Sequence, residues 1–335
     1  MKPGVGIHTP PSMRIHVASL LREVACEARR KESACLAIII TAFLLLSCAP
    51  PPQNGTYMQF TDAVNNTVTL EKKPEKVAVL FSSFADIWVL SGGECAMTVG
   101  ESVERGIVSD STPLADSGAG KTVNTELIIA AKPELVILSA DVDGQVKAAR
   151  TLTAAGIPCA LLRVESFSDY LDVLELFCRI NGSDNYKKYG TEIKERIDSL
   201  LSSLPDHTER DILFIRSGSS ASSAKAKTGA EHFAAAMLDE IGAHNIADSA
   251  PVLLDGLSLE AIIKADPDIV FVTLMGNEQS ARAYIDSLFT SPAWQTLSAV
   301  KNGRIVYLPR ELFQYKPNAR WAEAYEFLIN ALTGG

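Results

Sequence analysis

The chain has 335 residues, 47% of them hydrophobic and 21% charged, an ordinary globular composition with room for about two domains. Its net charge of −9, with no basic stripe along the sequence, excludes nucleic acid as a partner.

The first 47 residues stand apart from the fold. Arg29-Arg30-Lys31 precedes the apolar run "ACLAIIITAFLLLSC", residues 34–48, which is short for a bilayer span but suits a signal-peptide core behind a basic segment. An uncleaved N-terminal membrane anchor is the alternative, and with either the body of the protein is expected outside the cytoplasm. The stretch before this basic segment is long for a signal peptide, as it would be if translation starts further downstream. The run closes on Leu45-Leu46-Ser47-Cys48, which resembles the bacterial lipobox. That resemblance implies cleavage before Cys48 and a diacylglycerol anchor on its thiol, holding the protein to the extracytoplasmic face of the membrane. Losing residues 1–47 removes six Lys/Arg and three Asp/Glu and takes the net charge from −9 to −12. Residues 48–56 are Pro/Gly-rich and polar, a tether. Beyond it Cys95, Cys159 and Cys178 are widely spaced with no CxxC, so they make neither a disulfide framework nor a zinc site.

Strands are predicted at 76–82, 97–101, 135–139 and 159–164 in a first lobe, residues 57–183. Between them lies "DSGAGKTVNTE", residues 116–126, which looks like the end of a phosphate-binding loop. That loop needs a glycine where this chain has Ala115, and it must follow a buried strand rather than the polar, proline-broken "RGIVSDSTPLA". A flexible rim of a ligand cleft is the better reading, with Lys121 facing an anionic group.

An internal repeat carries the architecture. "VNTELIIAAKPELVILS" (123–139) aligns without a gap with "LSLEAIIKADPDIVFVT" (257–273), at a constant offset of 134 residues. Each reads as a short helix entered through a polar cap (Asn124, Ser258), a proline-terminated turn and a continuously apolar strand of the kind found in covered parallel sheets. Two related lobes follow, not a solenoid. Tyr186, Tyr189, Ile193, Ile197, Leu200, Leu201 and Leu204 recur at helical spacing before Pro205, predicting one long helix over 184–205 that joins the lobes and resists bending. The second lobe, 206–335, is expected to hold strands at 211–217, 268–273 and 304–309. The fold class is therefore α/β: two related lobes with mainly parallel sheets, a single backbone helix, and a ligand cleft between them.

These features resemble the substrate-binding lipoproteins of ABC importers that take iron–siderophore complexes, haem or cobalamin. The resemblance covers about residues 57–333 and rests on "FTDAVNNTVTLEKKPEKVAVLFSSFADIWVLSGG", "VNTELIIAAKPELVIL" and "SPAWQTLSAVKNGRIVYLP…YKPNARWAEAYEFLINAL", in that order. It implies a monomeric receptor with no intrinsic cofactor, whose partners are an ABC permease with its ATPase and a small metal chelate. It also implies that one glutamate on each lobe meets arginines of the permease; the matching residues are Glu126 and Glu260. Each also sits in a first helical turn, where a carboxylate favours the helix dipole.

Ligands of open parallel sheets sit off the carboxyl ends of the strands. In the first lobe this nominates Ser82, Ser83 and Phe84, then Glu101 and Arg105, Lys121 and Thr122, and Ser139 and Asp141. In the second lobe it nominates Arg216, Ser217, His232, Met275, Asn277, Arg310, Phe313, Tyr315 and Lys316. Aromatic and Met side chains suit a flat or greasy ligand face, and Arg and Lys suit carboxylates or an anionic ferric chelate. Tyr315 and His232 are the candidate direct iron donors. Against these stand plainer roles: a solvated histidine at 232, lobe packing for Tyr315 and a surface charge at Arg105. An exported α/β enzyme is the competing class, but "RSGSSASS" lacks the Gly-x-Ser-x-Gly pattern, and His207, His232 and His244 are too scattered for a metal hydrolase or a zinc or manganese receptor. For cargo, a ferric siderophore or other iron complex is favoured over haem, and haem over cobalamin.

Overall fold

The computed structural model describes residues 55–116, 122–204, 208–218, 223–250, 252–255 and 257–334. Residues 1–54, with Cys48 among them, lie outside these residues, as does Lys121. From Thr56 onward the chain is one compact unit. It begins with an antiparallel hairpin, β1 (Met58–Thr61) and β2 (Thr67–Leu70). Asp62 at its turn accepts from the amides of Val64 and Asn66, and its other oxygen takes the Leu161 amide at 3.2 Å, which ties the hairpin to the first lobe.

The first lobe is built on a parallel sheet, β3 (Val77–Val79), β4 (Leu135–Ser139) and β5 (Cys159–Leu162), in that spatial order. The strand predicted at 97–101 is reduced to single bridges, Met97 to Ala78 and Thr98 to Leu114. The Thr98 hydroxyl donates to Val79 O at 2.9 Å and lies 2.8 Å from Ser102 Oγ, and the chain turns there into the helix Gly100–Glu104. The second lobe centres on β6 (Asp211–Ser217), flanked by β9 (Ile269–Thr273) and then β10 (Ile305–Tyr307), all parallel. On the other side of β6, β7 (Ala224–Ala226) runs antiparallel and the short β8 (His244–Asn245) parallel.

The repeat survives intact in three dimensions. The helices Thr125–Ala131 and Leu259–Ala265 precede β4 and β9, at the 134-residue offset read in the sequence. Lys132 and Asp266 both end their helices in the left-handed region, at φ 50° and 44°, just before the prolines that forbid continuation. Ile128 and Ile262 are fully buried beneath the two helices, whereas Glu126 and Glu260 are exposed.

The linking helix is shorter than the predicted span. Lys187–Thr191 forms a π-helical turn, and regular α-helix runs only over Glu192–Ser202. At the widened turn the Tyr189 carbonyl accepts from the Tyr170 hydroxyl at 2.8 Å. Gly190 lets the Tyr186 ring lie against the backbone, since a Cβ there would meet ring carbons at 3.1 Å. At 1.5 Å per residue the regular segment is about 16 Å long.

Alternation along the strands assigns each side chain to a core. Ala78, Leu80, Val136 and Leu138 cover one face of the first sheet, and Leu213, Ile215, Val270 and Val272 one face of the second. Their opposite faces do not make separate cores. Val77, Leu135 and Ile137 join Trp88, Phe177 and Ile197, and these continue into Phe214, Phe271, Phe233 and Trp321 as a single apolar body. Phe84 and Phe313, expected at the ligand cleft, belong to it. Both are buried, Phe84 against Phe81 at 5.2 Å and Phe313 between Phe233 and Phe327 at 6.5 and 5.6 Å. A residue just beyond a strand end can point back into the core as readily as outward, and these two do. Phe313→Ala should therefore cost about 3–5 kcal/mol in urea unfolding, with loss in a single transition because the core is shared; two separate transitions would contradict it.

Candidate ligand-binding cleft

The carboxyl end of β3 runs directly into the helix Ser82–Leu90, which buries Ser82 and Ser83. The Ser82 hydroxyl donates to Glu101 in a short hydrogen bond and accepts from Arg105 Nη1 at 3.0 Å. The Arg105 guanidinium is thereby held across the strand end, its side chain only 14% exposed and 3.9 Å from Asp86. It lies 4.2 Å from the centroid of the Tyr315 ring. From the second lobe Arg310 approaches the same ring at 5.3 Å and donates to its hydroxyl at 2.8 Å. One tyrosine is thus flanked by two guanidiniums from different lobes. They line a cavity of about 430 Å³, with Asp86, Glu104, Glu311, Pro317 and Arg320 completing its wall. Burial lowers the Arg105 pKa and raises that of Asp86, and the attraction between the two opposes both shifts.

The next residue along faces the other way. Lys316 pairs with Glu165, just beyond β5, at 3.0 Å, and its ammonium sits 4.5 Å from the Phe233 ring. Burial lowers its pKa while Glu165 raises it. Arg216 lies at the end of β6, in register with Thr273 of β9, and its guanidinium reaches Met275 Sδ at 3.3 Å. Burial lowers its pKa too. A second cavity, about 370 Å³, lies beside the linking helix against Phe167, Phe233 and Trp321, away from the arginine pair.

The nominated residues divide accordingly. Ser82, Arg105, Arg310 and Tyr315 converge, and Arg216, Met275 and Lys316 form a neighbouring polar set. Ser217 takes the Met275 amide at 2.8 Å, a clasp between strand ends, and Asn277 caps the helix Glu278–Phe289 through the Ser280 amide. Asp141 is paired with Arg163 at 2.6 Å, and Ser139 Oγ accepts the Asp141 amide. Thr122 is exposed at the edge of the described residues. His232 is not the solvated side chain that was the plainer expectation. It caps the helix Phe233–Glu240, with Nδ1 accepting from the Ala234 amide at 3.2 Å, between the rings of Phe214 and Phe233 at 4.8 and 5.0 Å. With Nδ1 as acceptor the neutral ring carries its proton on Nε2, so neither nitrogen is free to bind iron. Among the described residues no three His, Cys, Asp or Glu side chains converge to hold a metal ion. Missed in the sequence were Asp86, one helical turn beyond Ser82, and Glu165 and Asn318, which join the lobes and leave no pattern of their own.

Two α/β lobes on a shared core, with a charged cleft where three arginines face three carboxylates, define a two-lobed binding protein. The chain belongs to the periplasmic binding protein family, whose model matches residues 77–312. It is a binding protein and not an enzyme. It is 24% identical over 295 residues to the Fe(3+)-citrate-binding protein YfmC of Bacillus subtilis, covering 83% of this chain and 89% of that one. It is also 24% identical over 319 residues to YvrC of the same organism, an uncharacterized ABC transporter substrate-binding lipoprotein, covering 88% and 95%. Among solved structures, the triscatecholate siderophore binding protein FeuA of Bacillus subtilis superposes with a TM-score of 0.65 at 16% identity, over 83% of this chain and 99% of that one.

Burial and the nearby Arg216, Lys316 and Lys227 hold the His232 pKa down to about 3, well below its ordinary 6.5. A depressed pKa means that the unfolded state takes up the proton first as pH falls. The stability this histidine contributes is therefore present above pH 6.5 and is lost progressively between 6.5 and about 3. His232→Asn keeps a capping side chain without the titration. Urea unfolding at pH 7.5 and 4.5 should show the native protein losing more stability than the variant, and equal losses would contradict this.

Proposed function

We propose that the protein is the extracytoplasmic substrate-binding component of an ABC importer, that it captures an anionic iron(III) chelate, and that it passes this cargo to a membrane permease. The observation that carries the reading is the pair of guanidiniums at Tyr315, Arg105 over its ring and Arg310 at its hydroxyl. Guanidinium groups in a partly desolvated cleft suit the outward-facing carboxylates or phenolates of a chelate, which they can bind bidentately. The tyrosine supplies a flat apolar contact beside them. Because Arg310 donates to the phenol oxygen and, among the described residues, no three His, Cys, Asp or Glu side chains converge, the iron is taken to arrive with its coordination filled by the chelator. The relative named for ferric citrate supports a small carboxylate chelate as cargo.

The Leu45–Cys48 motif and the relative named as a lipoprotein support a lipid anchor at Cys48. Glu126 and Glu260 stand exposed at equivalent places on the two lobes, each in the first turn of its helix, as the permease contact requires. The double variant Glu126→Ala/Glu260→Ala should bind ferric citrate with unchanged affinity, read from tryptophan fluorescence, while iron uptake by cells falls roughly tenfold or more. Undiminished uptake would overturn the docking role. A haem Soret band that forms on adding hemin and is lost in Tyr315→Phe would move the cargo assignment to haem.

A further inference from the structure

The arm that carries Tyr315 and Lys316 is held at both ends. It leaves the second lobe at the helix Arg310–Phe313 and finishes at Asn318, which is fully buried against the first lobe. The Asn318 amide nitrogen donates to the Ser83 carbonyl at 3.0 Å and to Asp86 Oδ2 at 2.8 Å. Both acceptors lie early in the Ser82–Leu90 helix, beside the serine that holds Arg105. Asp86 Oδ2 is also the oxygen that Arg105 Nη2 approaches, at 3.9 Å, too far for a hydrogen bond. Asn318 adopts φ 50°, a conformation that Asn tolerates better than most residues, and its Oδ1 is buried with no partner among the described residues. Burying that oxygen is a cost that the two donated bonds have to outweigh.

We propose that Asn318 is a positioning residue for the ligand site. By donating to Asp86 it pins the Tyr315–Lys316 arm to the first lobe and occupies the carboxylate that would otherwise draw Arg105 into a direct pair. Arg105 then keeps its charge available to an anionic chelate, with Ser82, Glu101 and Tyr315 as its other neighbours. Asp86 is the counterweight: it competes with the ligand for Arg105, and Asn318 limits that competition. This inference rests on the reading of the cleft as a chelate site, and it adds to that reading a residue that touches no ligand.

Asn318→Gly keeps the left-handed backbone and removes the side-chain amide. In the full-length protein it should weaken ferric citrate binding about tenfold. Asp86→Asn removes the competing charge and should tighten it severalfold at low salt. Asn318→Asp places a second carboxyl against Asp86. Binding should be weak at pH 7.5 and recover toward the native protein, measured alongside, near pH 5, where a shared proton restores the donated bond. This variant also serves if the glycine variant fails to fold. Amide hydrogen exchange over Gln314–Lys316, measured without ligand, should be faster in Asn318→Gly. Exchange as slow as in the native protein, or an Asp86→Asn variant that binds more weakly, would overturn the proposal. If the native protein binds no ferric citrate, the cargo reading fails, and the exchange measurement alone decides the role of Asn318.

Discussion

The two lobes are not independent bodies joined by a strap, because they share one hydrophobic core. It runs from Leu135 and Ile137 beneath the first sheet, through Phe177 and Ile197, to Phe214 and Phe271 beneath the second. Opening the lobes widely would pull apart apolar surface that stabilises the fold at roughly 25 cal/mol per Å². That cost, more than the stiffness of a linking helix only 11 α-helical residues long, keeps the cleft close to its final spacing. Arginines on different lobes can then be held at one tyrosine before any ligand arrives, which reduces the ordering cost of binding.

The electrostatics follow from that spacing. The chain as a whole is acidic, at −9, yet Arg105, Arg216, Arg310 and Lys316 gather where the strands end. Two of these charges are partly buried beside a carboxylate, Arg105 near Asp86 and Lys316 at Glu165, whereas the Arg216 guanidinium rests on the Met275 sulfur. An anionic ligand would meet Arg105 and Arg310 in a wall that also holds Asp86, Glu104 and Glu311, so it must displace the pull of those carboxylates on the arginines. Ser82 and Asn318 set how firmly those partners hold.

Much of this was legible in the sequence because periodic patterns report on burial. The gapless repeat at an offset of 134 located both helix–strand units, and the continuous apolar runs at 135–139 and 211–217 marked parallel strands residue for residue. Short strands were overestimated: 97–101 is apolar enough, but the Thr98 hydroxyl bonds turn the chain aside. Individual side chains past the strand ends were harder. Whether Phe84, Phe313 or His232 faces the core or the cleft depends on the rotation of one helical turn, which composition does not encode. Glu165 and Asn318 act through partners 151 to 235 residues away in sequence, and Asp86 is held by Asn318 across 232 residues, so no local pattern could have flagged them. Asn318 sits in a left-handed turn that a reader of sequence would assign to a glycine.

The central claim is that an anionic ferric chelate is recognised by the cationic pair at Tyr315. The most direct measurement is a parallel titration of the purified protein with ferric citrate, with a neutral ferric trihydroxamate and with cyanocobalamin, repeated on Arg105→Gln and Arg310→Gln. Ferric citrate should bind most tightly, and each substitution should weaken it roughly tenfold or more while leaving the neutral ligands unaffected. Tighter binding of a neutral ligand, or ferric citrate affinity that ignores both arginines, would contradict the account.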